Sequence, residues 1–260
     1  LVAGGGPAQG HLEGAGREGV MSCRKDCPDS EAAKPLAGIP YFAGLADAVI
    51  DDIERKIRRR RYAAGEVVLM EGERGDSGLF LVLEGMVKVC KISPEGRDQV
   101  LRLIGSGRSF NDVPMFDGGA NPGTVMALGA ATVGHLPGAA FQTLMETHPE
   151  IARNATRVLA RRLRALTLMV EDLAFRGVLS RVAGLLLNCA LGHHALAEGD
   201  HAACVRITQA DVAAMTGSVR EVVQRALKTL EADGAIRMER AQIAVIDTSI
   251  LETWAEKPSA

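Results

Sequence analysis

Apolar and polar positions follow three rhythms along the chain. From residue 36 to residue 61 Leu45, Val49, Ile53 and Ile57 recur at helical spacing, which predicts short helices packed on whatever follows. Between Tyr62 and Pro137 the pattern becomes short alternating runs at 67–70, 79–83, 87–92, 100–104 and 131–136, separated by glycine-bearing turns at 71–75, 84–85 and 94–96. Nearly even spacing of this kind predicts a compact antiparallel barrel or jelly roll, whose interior can hold one small ligand. From Pro149 to about Phe175 the period switches again. Ile151, Ala155, Val158, Leu159, Arg162, Leu163, Leu166, Met169, Val170 and Leu173 form a stripe close to heptad spacing on one long helix. A second copy of the chain satisfies such a seam as a two-stranded coiled coil, so Leu159, Leu163, Leu166, Val170 and Leu173 are the expected dimer interface. Gly177 breaks this helix and the run from Val178 opens another, with a loop at 192–204.

Residues 207–230 read as two short helices around a tight turn. Thr208 is placed to cap the first, whose face of Val212, Ala213 and Met215 includes residues small enough for a close helix crossing. Gly217 supplies the left-handed turn, and Ser218 can cap the second helix. In that helix Val219, Val222, Val223, Ala226, Leu227 and Leu230 recur at core spacing, leaving Arg220, Glu221, Gln224, Arg225 and Lys228 on the polar side. Arginine reaches guanine O6 and N7 with two donors and glutamate accepts from cytosine N4, so this face suits a major groove. The plain alternative is a solvated face with a Glu221–Arg225 ion pair. The capped helix and glycine turn before it favour the helix-turn-helix reading, with Thr208 and Ser218 at the DNA-facing termini. Residues 234–246 then read as a hairpin, or wing.

The resulting class is α+β: an N-terminal antiparallel β-roll (jelly roll), a long dimerisation helix and a C-terminal winged helix-turn-helix. The expected segments are a disordered stretch at 1–35, the roll at 36–148, the helix at 149–176 and the DNA-binding part at 177–260. Leu1 to Val20 have no usable periodicity, and Met21 is the expected native start. No run is long and apolar enough to span a bilayer.

Charge narrows the DNA reading. Thirty basic and thirty-two acidic residues give a net charge of −2, and residues 205–240 carry six basic against five acidic side chains. Specific binding must therefore come from a few well-placed arginines and lysines, doubled by dimerisation, rather than from a broad field. The most basic run, 55–61, is assigned to the polar side of the preceding helix as a solvated face. Five cysteines at irregular spacing point to a reducing cytoplasm. Cys23 and Cys27 are too few for an iron–sulfur cluster and read as accessible thiols, while Cys90 reads as core.

Gly72-Glu-Arg-Gly-Asp-Ser77 with Leu83-Glu-Gly85, Leu159-Ala-Arg-Arg-Leu163, Leu173-Ala-Phe175 and Val219-Arg-Glu-Val-Val-Gln-Arg225 stand in the order roll, long helix, recognition helix. In these motifs the chain resembles the bacterial cyclic-AMP receptor and fumarate–nitrate regulator (CRP/FNR) family of transcription factors, from Leu36 to about Leu251. The resemblance implies a dimer on a two-fold symmetric operator of double-stranded DNA, Arg220, Glu221 and Arg225 reading each half-site, and RNA polymerase as a partner. Arg220 stands where the fumarate–nitrate branch has an apolar residue, so the implied preference is closer to that of the cyclic-AMP receptor branch.

The departures concern the effector. The family's nucleotide binders carry a Gly-Glu pair and then an Arg-Ser pair, whose arginine neutralises the cyclic phosphate. Here Asn111-Asp112 and Pro122-Gly123 stand there, and Leu166-Thr167 replaces the polar Thr-Ser pair that meets the base. The candidate pocket is thus Phe110, Asn111, Asp112, Thr124, Leu166 and Thr167, with Asp112 expected to lack a cation. Such a pocket is not expected to take cyclic AMP as its effector, and the expected ligand is neutral or largely apolar. A pocket filled by Phe110, Met115 and Phe116 is the alternative. The family's roll cysteine position is Gly134, which argues against an iron–sulfur sensor, while haem stays open with His135 and His148 as candidate ligands. A cupin-like metalloenzyme would need converging ligands, and with one histidine, His135, among the strands of the roll and no nucleophile–base pair neither a metal site nor catalysis is expected.

Overall fold

The structure, a computed structural model, describes residues 36, 38–74, 78–94, 96–191, 197–198, 208–239 and 242–257. The expectations for residues 1–35, including Met21, Cys23 and Cys27, lie outside these, as does Cys204. A 3-10 turn at Pro40–Phe42 buries Tyr41 and Phe42, and helix α1 (Asp47–Lys56) buries Ile50 and Ile53. Strands β1 (Arg58–Tyr62), β2 (Val67–Leu69), β3 (Gly78–Glu84), β4 (Met86–Ile92), β5 (Asp98–Gly105) and β6 (Arg108–Phe110) follow. After the short helix α2 (Asp112–Asp117) come β7 (Thr124–Ala127) and β8 (Ala131–Pro137), then helix α3 (Gly138–Thr147).

These strands form two sheets, ordered β1-β8-β3-β6 and β2-β7-β4-β5, the second extended beyond β5 by a short strand β9 (Ala197–Glu198). Their inner faces share a core that includes Phe80, Val82, Val87, Ile104, Phe110, Val125 and Val133. The roll predicted from alternation is therefore present, closed by the antiparallel pairs β1/β8, β3/β8, β4/β5 and β4/β7.

The basic run departs from its expected place. Helix α1 stops at Lys56, and Arg58, Arg59, Arg60 and Arg61 lie exposed on β1, the edge strand of its sheet. The strand is anchored by buried Tyr62 and by pairing with β8. Glu54 and Glu66 take Arg59 and Arg60 at 2.5 and 3.0 Å. Charged side chains along an edge discourage pairing with another chain.

Helix α4 (Pro149–Phe175) is the long helix, and its stripe divides in two. Ile151, Asn154, Ala155, Val158 and Arg162 are buried, with Ile151, Ala155 and Val158 in the core shared with Tyr41, Phe42 and Phe141, so the first half packs on its own chain. Asn154 fixes this contact by donating to the carbonyls of Tyr41 and Ala43. Beyond Arg162 the apolar positions emerge: Leu163 is 68%, Leu166 39%, Val170 65% and Leu173 40% exposed. Their spacing of three and four residues is the one that a coiled-coil seam would have.

Helix α5 (Val178–Leu191) leads to β9 (Ala197–Glu198), a two-residue strand parallel to β5, where a loop is expected. Helices α6 (Gln209–Thr216) and α7 (Arg220–Ala232), the hairpin β10 (Ile236–Glu239) and β11 (Gln242–Val245), and α8 (Thr248–Ala255) complete the fold. Their core is joined by Val100 and Leu103 of β5, so the roll supplies part of the floor beneath α5 and α6. No described helix is long and apolar enough to cross a membrane.

Candidate DNA-reading face and roll cavity

Helix α6 begins in a reciprocal cap. The Thr208 hydroxyl accepts from the Asp211 backbone N–H at 3.2 Å, and the Asp211 carboxylate accepts from the Thr208 N–H at 3.0 Å. Thr208 is recognisable as a cap from the sequence, whereas Asp211 is marked there only by its spacing of three from Thr208. Gly217 ends the helix with φ +61°, and a side chain there would meet Gln99 of β5 and Leu173 of α4 as well as strain the backbone. The sequence leads one to expect Ser218 as the cap of α7, but Val219 holds that position, and Ser218 instead turns its backbone N–H back to the Ala213 carbonyl at 3.0 Å.

Helix α7 buries Val223, Ala226, Leu227 and Leu230 and exposes Arg220, Glu221, Gln224, Arg225 and Lys228. Among the described residues none of these five side chains makes a hydrogen bond or ion pair, the alternative Glu221–Arg225 pair included. One face is thus fixed by packing while the other leaves its donors and acceptors uncommitted.

The second feature is a cavity of about 330 Å³ between the roll and α4. Of the residues named from the sequence, Phe110, Asn111, Asp112 and Leu166 line it. Thr124 and Thr167 do not. Thr124 is buried, accepting from the Glu71 N–H at 3.2 Å, and Thr167 is exposed, donating to the Leu163 carbonyl one turn back at 3.0 Å. Met115 packs in the core around Tyr41 and Phe141, and Phe116 is exposed against Phe141, so neither fills the cavity.

Its polar end corrects the expectation that Asp112 stands without a cation. Arg162 reaches down from α4 to form a buried ion pair with Asp112, and its Nη2 donates to the Ser109 carbonyl at 2.7 Å and hydroxyl at 3.2 Å. Arg102, also on the wall, donates to the same carbonyl at 3.3 Å. Neither arginine can be assigned from sequence, because one looks like a seam position and the other like a surface strand residue. Asn111 adopts φ +67°, a region asparagine tolerates better than most residues, and its amide donates to the Gly78 carbonyl at 3.1 Å. Gly123 lies so close to β4 that an added Cβ would stand 3.1 Å from the Cys90 carbonyl oxygen. The Cys90 thiol is core, its pKa pushed up by burial. Strand β5 serves both sites: Leu101 and Arg102 line the cavity, while Val100 and Leu103 enter the core beneath the helix-turn-helix.

His135 stacks on Phe80 with ring centroids 4.5 Å apart, and His148 sits between α3 and α4; neither lines the cavity. Among the described residues no three His, Cys, Asp or Glu side chains gather as a metal site.

A roll with a ligand-sized cavity, joined through a long helix to a winged helix-turn-helix, defines a DNA-binding regulator. Residues 59–148 match the cyclic nucleotide-binding domain, and residues 180–254 match the Crp-like helix-turn-helix domain. The CRP-like cAMP-activated global transcriptional regulator of Mycobacterium tuberculosis is 29% identical over 216 residues, 83% of this chain and 96% of that protein. The cyclic AMP receptor protein of Thermus thermophilus is 29% identical, over 85% of this chain and 98% of its own. A solved CRP/FNR-family transcriptional regulator from Thermus thermophilus superposes with a TM-score of 0.62 at 26% identity, covering 77% of this chain and 99% of that one. A further one, from Eubacterium rectale, shares the fold with a TM-score of 0.66 at 21% identity, over 85% of this chain and 99% of that one. The chain belongs to the CRP/FNR family of DNA-binding transcriptional regulators, which are not enzymes.

Proposed function

We propose that the chain acts as a dimer that reads an inverted-repeat operator with Arg220, Glu221 and Arg225, supported by Thr208, Ser218, Gln224 and Lys228, and that the roll cavity is its effector site. The observation that carries the DNA half is the α7 face of five exposed, uncommitted polar side chains opposite the buried Val223, Ala226, Leu227 and Leu230. The exposed seam of Leu163, Leu166, Val170 and Leu173 supports the dimer, since a coiled coil covers a stripe of this spacing.

The effector of this reading is not cyclic AMP, although the relatives from Mycobacterium tuberculosis and Thermus thermophilus are named for it. Pro122 and Gly123 supply neither cation nor hydroxyl to the wall they line. Arg162 is engaged by Asp112 and Ser109, so a phosphate would have to displace a buried carboxylate from it and then lie beside that carboxylate. Calorimetric titration with cyclic AMP tests this half: no saturable binding in the micromolar range is expected, and a low-micromolar Kd would overturn it.

A further inference from the structure

We propose that the cavity takes an uncharged, largely apolar small molecule bearing one hydroxyl or N–H donor, and that this donor meets the Asp112 carboxylate. The inference rests on the cavity being the effector site and names the chemistry of its ligand.

Most of the wall is aliphatic or aromatic, with Val89, Phe110, Val125, Leu159 and Leu163 among its residues. A volume of about 330 Å³ lies at the small end of ligand pockets, which run from about 300 to 1,000 Å³. Burial of apolar surface is the affinity such a wall can supply, and it sets no direction for the ligand inside. Direction has to come from the polar end.

There Asp112 is 3% exposed. One carboxylate oxygen, Oδ2, is held by Arg162, while Oδ1 is buried and makes no hydrogen bond among the described residues. A buried carboxylate oxygen without a donor is costly, and a ligand that supplies one recovers that cost on binding. The neighbouring amides do not supply it: Asn111 donates to the Gly78 carbonyl, and Asn121 donates to the Met70 carbonyl at 2.9 Å. The wall therefore offers an acceptor and asks for a donor.

Charge on the ligand is disfavoured in both signs. An anion would compete with Asp112 for Arg162 and stand beside its negative charge. A cation would compete with Arg162 for Asp112 and face the guanidinium groups of Arg102 and Arg162. A neutral donor meets neither objection.

The test uses the whole chain and three matched probes: 4-propylphenol, propylbenzene and 4-propylbenzoate, each titrated by calorimetry. The phenol is expected to bind at least about tenfold more tightly than propylbenzene, as a hydrogen bond to a charged group warrants, and the benzoate more weakly than the phenol. In the double variant Asp112→Leu with Arg162→Met, which removes the pair without stranding a charge, propylbenzene should still bind and the phenol should lose its advantage. Leu166→Trp, which narrows the cavity, should weaken both. Equal affinity of phenol and propylbenzene, tightest binding of the benzoate, or a phenol advantage that survives the double variant would overturn this inference and leave the effector-site reading standing. Failure of all three probes to bind, or binding indifferent to Leu166→Trp, would overturn the effector-site reading itself.

Discussion

Arg162 of the long helix and Asp112 of the roll form an ion pair whose side chains are only 8% and 2% exposed. The pair ties α4 to the wall of the cavity at the point where the helix leaves its own chain and begins its exposed seam. Taking two charges out of water costs several kcal/mol per ion, so the pair is not a simple gain in stability. Its value depends on both partners being present.

Removing one partner is therefore expected to do more harm than removing both. Arg162→Leu strands a buried carboxylate and should lower unfolding stability by about 3–5 kcal/mol, whereas Asp112→Leu with Arg162→Met should come within about 2 kcal/mol of the parent. Urea unfolding measures both. A double variant as unstable as the single one would show that the site needs its polarity and not its charge balance.

Leu163, at 68% exposure, is the most exposed apolar position of the α4 stripe. Leu163→Glu should give monomers in light scattering, because two carboxylates would face each other across the axis of the coiled coil. Binding to a two-fold operator should fall with it. A dimer that persists would place the interface elsewhere.

Much of this architecture can be read in the sequence, and the reason differs by region. Helix α7 is legible because packing imposes a helical period on Val223, Ala226, Leu227 and Leu230 while the polar residues between them are left uncovered. Strand β1 is not, since four consecutive arginines carry no alternation and their place is set by pairing with β8. Strand β7 is hidden for the opposite reason: Thr124, Val125 and Ala127 are all buried, so no polar phase marks them. The cavity is half legible. Phe110, Asn111, Asp112 and Leu166 are found from the family's pattern, but Arg102 and Arg162 reach it through contacts that no local spacing encodes. The stripe on α4 shows that a helix has apolar positions without showing what covers each, and here its own chain covers the first half.

On the proposed reading of α7, Arg220→Ala should cost about 1–3 kcal/mol of operator binding and relax preference at one G·C pair in each half-site. Lys228→Ala should weaken binding more evenly across sequences and reduce its salt dependence, as expected for a phosphate contact. Binding to operator variants at two salt concentrations separates the two effects. An unchanged base preference in Arg220→Ala would remove that residue from the reading face.

The most direct measurement is selection of duplex DNA from a random pool by the purified chain, carried out in parallel for the parent and the Arg220→Ala, Arg225→Ala variant. The parent is expected to enrich an inverted repeat whose two half-sites lie about 34 Å, one helical turn, apart or a multiple of it, each with a defined G·C position. The variant should enrich nothing at that position. Enrichment of a motif without two-fold symmetry, or the same motif in both selections, would contradict the account of α7 as the reader of a symmetric operator.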